Sequence, residues 1–242
     1  MNEFDANDYP EACPHEPIRE IATDLFFAPG SIRMGPLMRF SRNMVIVRHG
    51  GELTLFNPIR LSHDGEAAVE ALGTVRHVVR LGVFHGVDDP YSVARFGAEF
   101  WCQAGSDKYT EPKPDHELVE GGTLPIPDAE LFVFRETTKP ECAVLLKRGP
   151  GILITCDGIQ HYGDYGRQSL LAKLMMPFIG FPKSALVGPF WLKGLTREGG
   201  SIQPDCERLL ELEFDTLVSA HGTPLMQGAH EAVRQAVNRA FS

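Results

Sequence analysis

Three short apolar runs in this chain each lead to an ionisable side chain beside a glycine. Val78-Val79-Arg80-Leu81 leads to His85-Gly86-Val87-Asp88-Asp89-Pro90, Ile152-Leu153-Ile154-Thr155 to Asp157-Gly158, and Thr216-Leu217-Val218-Ser219-Ala220 to His221-Gly222. Divalent cations are held by neutral imidazoles and ionised carboxylates that converge from separate elements. Strands that stop at polar turns deliver such groups to a sheet edge, where α/β folds place their chemistry. We read His85, Asp89, Asp157 and His221 as meeting around one metal ion. Each also has an ordinary reading taken alone. His85 would cap a neighbouring backbone group, Asp88-Asp89 before Pro90 would open a helix, and Asp157-Gly158 is a common turn dipeptide. Their shared placement at strand ends favours the metal.

The elements that must position these groups follow from periodicity and punctuation. Residues 1–17 are polar and Pro-punctuated and read as an extended arm. Ile21–Ala28 reads as a strand, and Met44–Arg48 and Leu53–Phe56 as a hairpin around His49-Gly50-Gly51-Glu52. Asp64 is suited to N-cap a helix through Leu72 that Gly73 ends. Val75–Leu81 is a strand, Pro90 opens a helix over Tyr91–Phe96, and Phe100–Cys102 is a short strand. The second half repeats the order. Strands fall at Leu131–Phe134, Ala143–Leu146, Ile152–Thr155 and Thr216–Ala220, and helices at Ser169–Met176, Ser201–Leu212 and Ala229–Phe241. Two hairpin-then-α/β halves predict a four-layer αββα sandwich, two mixed β-sheets face to face with helices outside, as one domain over residues 18–242.

Composition bounds the partners. The chain has 242 residues, 43% hydrophobic and 23% charged, enough for a sizeable core. A formal net charge of −9 argues against a nucleic-acid partner, which needs a basic face. The acidic start Met1-Asn2-Glu3-Phe4-Asp5 lacks the apolar stretch of a signal peptide. Cysteines at 13, 102, 142, 156 and 206 are odd in number and scattered, which fits reduced thiols and a cytoplasmic location. The apolar segment 174–192 carries Pro177, Pro182, Lys183 and Pro189, too many interruptions for a spanning helix, so no membrane partner is expected. It reads either as a cover or contact between copies of the chain, or as a lid over a small-molecule substrate. His15, His49, His63, His77, His116 and His230 have no comparable context.

Over about residues 20–240 the sequence resembles the metallo-β-lactamase fold superfamily. That family carries a His-x-His-x-Asp-His motif at a strand end, a His in a Pro-Gly-His-Thr-Pro-like turn, an Asp after a strand, and a late His-Gly. Here these align with His85–Pro90, with Thr137-Thr138-Lys139-Pro140, with Asp157, and with Ala220-His221-Gly222-Thr223-Pro224, the best match of the four. Val87, Pro90 and Thr138 stand where the family has histidines. The resemblance therefore implies a reduced, mononuclear centre on His85, Asp89, Asp157 and His221. A slip of the alignment by a residue or two would put Asp88 in place of Asp89. His161, four residues after Asp157, is a further candidate that would replace a missing imidazole. Two imidazoles and two carboxylates suit one divalent ion, zinc first, with iron or manganese as alternatives. The implied activity is hydrolysis of a small substrate by a metal-activated water that Asp89 orients. The alternative is a metal-free pseudo-enzyme that keeps the scaffold for binding.

Overall fold

A computed structural model describes residues 4–242. The first sheet contains β1 (Arg19–Ala22), β2 (Leu25–Arg33), β3 (Arg39–His49), β4 (Glu52–Phe56), β5 (Thr74–Arg80), β6 (Glu99–Cys102) and β7 (His116–Glu117), hydrogen-bonded in that order. Helix α1 (His63–Leu72) joins β4 to β5, and α2 (Asp89–Phe96) joins β5 to β6. The strands are antiparallel up to β4 and parallel from there. The second sheet is built from β8 (Ala129–Val133), β9 (Cys142–Leu146) and β10 (Ile152–Thr155), with β13 (Thr216–Ser219) parallel to β10 at the edge. Between β10 and β13 the chain forms a small separate ribbon, β11 (Ile159–His161) with β12 (Ala185–Val187), and helices α3 (Leu170–Met175), α4 (Pro189–Leu195) and α5 (Gln203–Leu209). Helix α6 (Ala229–Ala240) ends the chain's regular structure.

Period-two alternation decides the layers, because successive side chains on a strand point to opposite faces. Leu25, Phe27, Val45, Val47, Phe56 and Val79 of the first sheet meet Cys142, Val144, Leu146, Ile152, Ile154 and Val218 of the second in one buried cluster. The alternate residues Phe26, Met44, Ile46, Leu55 and Val78 pack with Val69 of α1 on one outer face. Ala143, Leu145, Leu153 and Leu217 pack under Trp191, Cys206 and Val233 on the other. Both sheets are thus covered on both faces, which is why their strands read as continuous apolar runs rather than alternating ones. Two mixed sheets with helices outside are the α/β sandwich the pattern predicts.

Several boundaries differ from the sequence reading. The strand expected over Ile21–Ala28 is two strands, because Asp24 adopts φ 58° and turns the chain between β1 and β2. Helix α1 begins one residue before Asp64, and Ser62 is its cap, its hydroxyl accepting from the Gly65 N–H. Strand β12 and the start of α4 lie within the stretch 174–192 that reads only as apolar, and β11, at the candidate ligand His161, is not expected as a strand. Of the expected N-terminal arm, residues 1–3 lie outside the described residues. The rest runs against the first sheet, with Glu16 N–H donating to Pro29 O and His15 Nε2 bonded to Ser62 Oγ.

Candidate metal centre

Register brings the first two groups together. Thr155 of β10 pairs with Ser219 of the parallel β13, so Asp157 and His221 leave adjacent strands at the same offset, two residues on. His85 comes from the other sheet, five residues after β5 ends. Its approach is fixed where β5 meets β9: Cys142 N–H donates to Leu81 O at 2.9 Å, and Gly82 bridges Glu141. Two buried asparagines staple the sheets at this end. Asn43 Nδ2 donates to the carbonyls of Ser219 and Gly222, both at 3.1 Å. Asn57 donates to Thr155 O and accepts from Leu81 N–H. Gly222 has φ 69°, and a Cβ there would stand 2.0 Å from the His161 carbonyl oxygen, so the turn after His221 admits only glycine.

The three groups converge on one point. His221 Nε2 lies 2.9 Å from Asp157 Oδ1 and 3.0 Å from His85 Nε2, and His85 Nε2 lies 3.4 Å from Asp157 Oδ1. Donor atoms about 2.0–2.1 Å from an ion such as zinc stand roughly 2.9–3.4 Å apart, depending on whether the geometry is octahedral or tetrahedral. The observed triangle has that size. His221 Nδ1 sits 2.6 Å from the Ser41 carbonyl, which can only accept, so this nitrogen carries the proton. In the neutral ring the Nε2 lone pair then faces the carboxylate, an arrangement that calls for a cation or an added proton between them. A carbonyl on the far nitrogen is also how metal-binding histidines are oriented.

The electrostatics match the protonation states a metal requires. Burial pushes the His85 imidazole down to about 4 against the pull of Asp157, so His85 is neutral near pH 7. Burial raises the Asp157 carboxyl, but the adjoining His85 and the His221 hydrogen bond outweigh it and hold Asp157 well below the usual carboxylate range. His85 Nδ1 is buried and has no hydrogen-bond partner.

The other expected ligands lie elsewhere. Asp89 does not join the triangle. It is fully buried at the start of α2, and its Oδ2 faces Arg80 Nη1 at 3.1 Å. Burial raises its carboxyl to about 7 even against the Arg80 charge. Asp88, the alternative ligand, pairs with the buried Arg42 at 2.8 Å, and Arg42 also donates to the His85 carbonyl. Each of these carboxylates has a guanidinium where a cation would be. His161 is not among the converging donor atoms, and its Nδ1 lies 2.8 Å from Thr223 O. Thr138, aligned with the family's middle histidine, is exposed and bonded through its N–H to Leu195 O.

One group was not singled out in the sequence. Glu141 is buried, and its Oε1 accepts from the backbone N–H groups of Asp157 at 2.8 Å and Gly158 at 2.9 Å, fixing the turn that presents Asp157. Glu141, Cys156 and Asp157 also form a second cluster of donor atoms. Burial, helped by Asp157, drives the Glu141 carboxyl and the Cys156 thiol strongly upward, so without a metal both favour their protonated forms and an ion there would have to displace those protons. The signal in the sequence was an acid, directly after Pro140, opening the wholly apolar strand Cys142–Leu146.

Neither a family model nor a curated protein matches the sequence. Solved structures do match the fold. The FIM-1 metallo-β-lactamase of Pseudomonas aeruginosa in its mono-zinc form superposes with a TM-score of 0.62 at 14% identity, over 96% of this chain and 98% of that one. The DIM-1 metallo-β-lactamase gives 0.65 at 13% identity, over 94% and 100%. A metallo-β-lactamase from Erythrobacter litoralis gives 0.59 at 10%, over 97% of each. This chain has the metallo-β-lactamase fold. Within that metallo-β-lactamase frame, the side chains that converge are His85, Asp157 and His221, one from the first sheet and two from the second.

Proposed function

We propose that the chain is a metal-dependent hydrolase with a single divalent ion, zinc first, held by His85, Asp157 and His221. The triangle of donor atoms supports this most directly, together with the Ser41 carbonyl that turns the His221 lone pair toward Asp157. A bound ion supplies Lewis-acid chemistry, acidifying a water molecule and polarising a carbonyl or phosphoryl oxygen. The chain's own residues prepare for it. His85 is kept neutral by burial, Asp157 is kept ionised, and Glu141 holds the Asp157-Gly158 turn in place. The side chains of Asp157 and His221 are partly open to solvent while His85 is closed off, so a small substrate would enter over the second sheet's edge. The solved FIM-1 structure in a mono-zinc form is consistent with one ion serving this fold.

The rival reading is a metal-free scaffold. It draws on Asp88 and Asp89, whose pairing with Arg42 and Arg80 removes two carboxylates from metal duty. Metal analysis separates the two. Purified chain supplemented with zinc and then dialysed should retain about one equivalent, and His221→Ala about a tenth of that or less. Full-length folded protein that retains no metal under these conditions supports the scaffold.

A further inference from the structure

We infer that the face formed by α3, the turn after it and the β2–β3 hairpin tip is a docking surface for an anionic lipid bilayer. On α3 and the following turn, Leu170, Leu171, Leu174, Met175 and Phe178 recur at helical spacing and face solvent, while Ala172 and Met176 hold the opposite face to the protein. A short helix apolar on both sides has one face without a partner. Phe178 is 89% exposed and Leu170 76%, and Phe190 continues the patch by packing its ring against Phe181. The hairpin tip stands beside it, because Ser169 bonds Arg39 through both backbone and hydroxyl, and the tip carries exposed Met34 and Leu37.

Charge identifies the occupant. The chain carries a net charge of −9, yet no Asp or Glu occurs from residue 25 to 51 or from 165 to 197. Both stretches border this patch: Arg33 pairs with Arg39 at the hairpin, Lys173 lies on α3, Lys183 stands over the Tyr165 ring, and Lys193 follows Phe190 by about one turn of α4. Projecting aliphatic and aromatic side chains ringed by lysine and arginine suit the boundary between acyl chains and acidic headgroups. A second copy is a poorer fit, since a two-fold contact sets the same patch against itself and brings its lysines and arginines together. The sequence reading expected no membrane partner, on the ground that residues 174–192 cannot span one. No described helix is long and apolar enough to cross a membrane, and surface docking needs none.

The test is co-sedimentation of the full chain with vesicles of phosphatidylcholine alone and with about a third phosphatidylglycerol. Binding should be confined to the anionic vesicles and fall with added salt. The paired variants Leu174→Ser/Phe178→Ser and Lys173→Glu/Lys183→Glu should each lower bound protein about tenfold or more, with circular dichroism and metal retention unchanged. Three results overturn the inference: no binding to the anionic vesicles, variants that bind like the parent, or a dimer in sedimentation velocity that Leu174→Ser/Phe178→Ser dissolves.

Discussion

The segments that follow β5 and β10 each carry an aspartate, and the two aspartates meet opposite company. Asp157 faces two imidazoles at a partly open sheet edge, and its carboxyl is held low. Asp89 is buried at the start of α2 against Arg80, and its carboxyl rises to about 7. Residue type and placement at a strand end are alike, so neither decides the role. The nearest cation does. Where the fold supplies a guanidinium, the carboxylate becomes part of the scaffold. Where it supplies imidazole lone pairs, the place for a cation stays open.

This contrast can be broken most forcefully at Arg80. Arg80→Met leaves Asp89 buried without its counter-charge and should cost about 3–5 kcal/mol in denaturant unfolding. The double variant Arg80→Met/Asp89→Leu should recover most of that loss. A single variant as stable as the parent would mean that the pair contributes nothing. At the other turn, Glu141→Leu removes the acceptor of two buried backbone N–H groups and should cost about 2–4 kcal/mol. Glu141→Gln keeps an acceptor oxygen in place and should cost under about 1 kcal/mol. Equal losses in the two variants would argue against the carboxyl as the anchor of the Asp157 turn.

The pH dependence sharpens the same comparison. His85 has a folded pKa of about 4 against an ordinary 6.5, so the unfolded chain binds more protons between those values. Its contribution to stability is therefore lost as pH falls from 6.5 toward 4. Asp89, raised from 3.8 to about 7, acts in the opposite sense: the folded chain binds the extra proton, and stability falls as pH rises through that window. In the metal-free protein the two slopes oppose each other. Asp89→Asn, whatever its cost at one pH, should steepen the rise in stability from pH 4 to 6.5, as followed by urea midpoints. An unchanged profile would place the Asp89 titration outside this range.

Much of the architecture is written in local pattern. Apolar runs such as Cys142–Leu146 and Ile152–Thr155 are long enough for strands, and glycines and prolines mark their ends, so the layers follow from counting. The order of His85, Asp157 and His221 along the chain also shows in the sequence. What does not show is which carboxylate finds which partner. Arg80 reads as one charge inside a strand, and nothing near it in sequence says that its side chain turns to Asp89. Glu141 is likewise invisible, because its partners are backbone N–H groups of a turn sixteen and seventeen residues away. The polar half of β3, Ser41-Arg42-Asn43, breaks the apolar pattern and so falls outside the expected strand. It is nevertheless the half whose carbonyl, guanidinium and amide brace the candidate centre.

The most direct test is X-ray absorption at the zinc edge on the purified, zinc-supplemented chain. The account predicts about one bound ion with two imidazoles, at least one oxygen and no sulfur neighbour. A sulfur scatterer at about 2.3 Å would move the ion to Cys156 and Glu141, and a folded protein that binds no zinc would contradict the centre altogether.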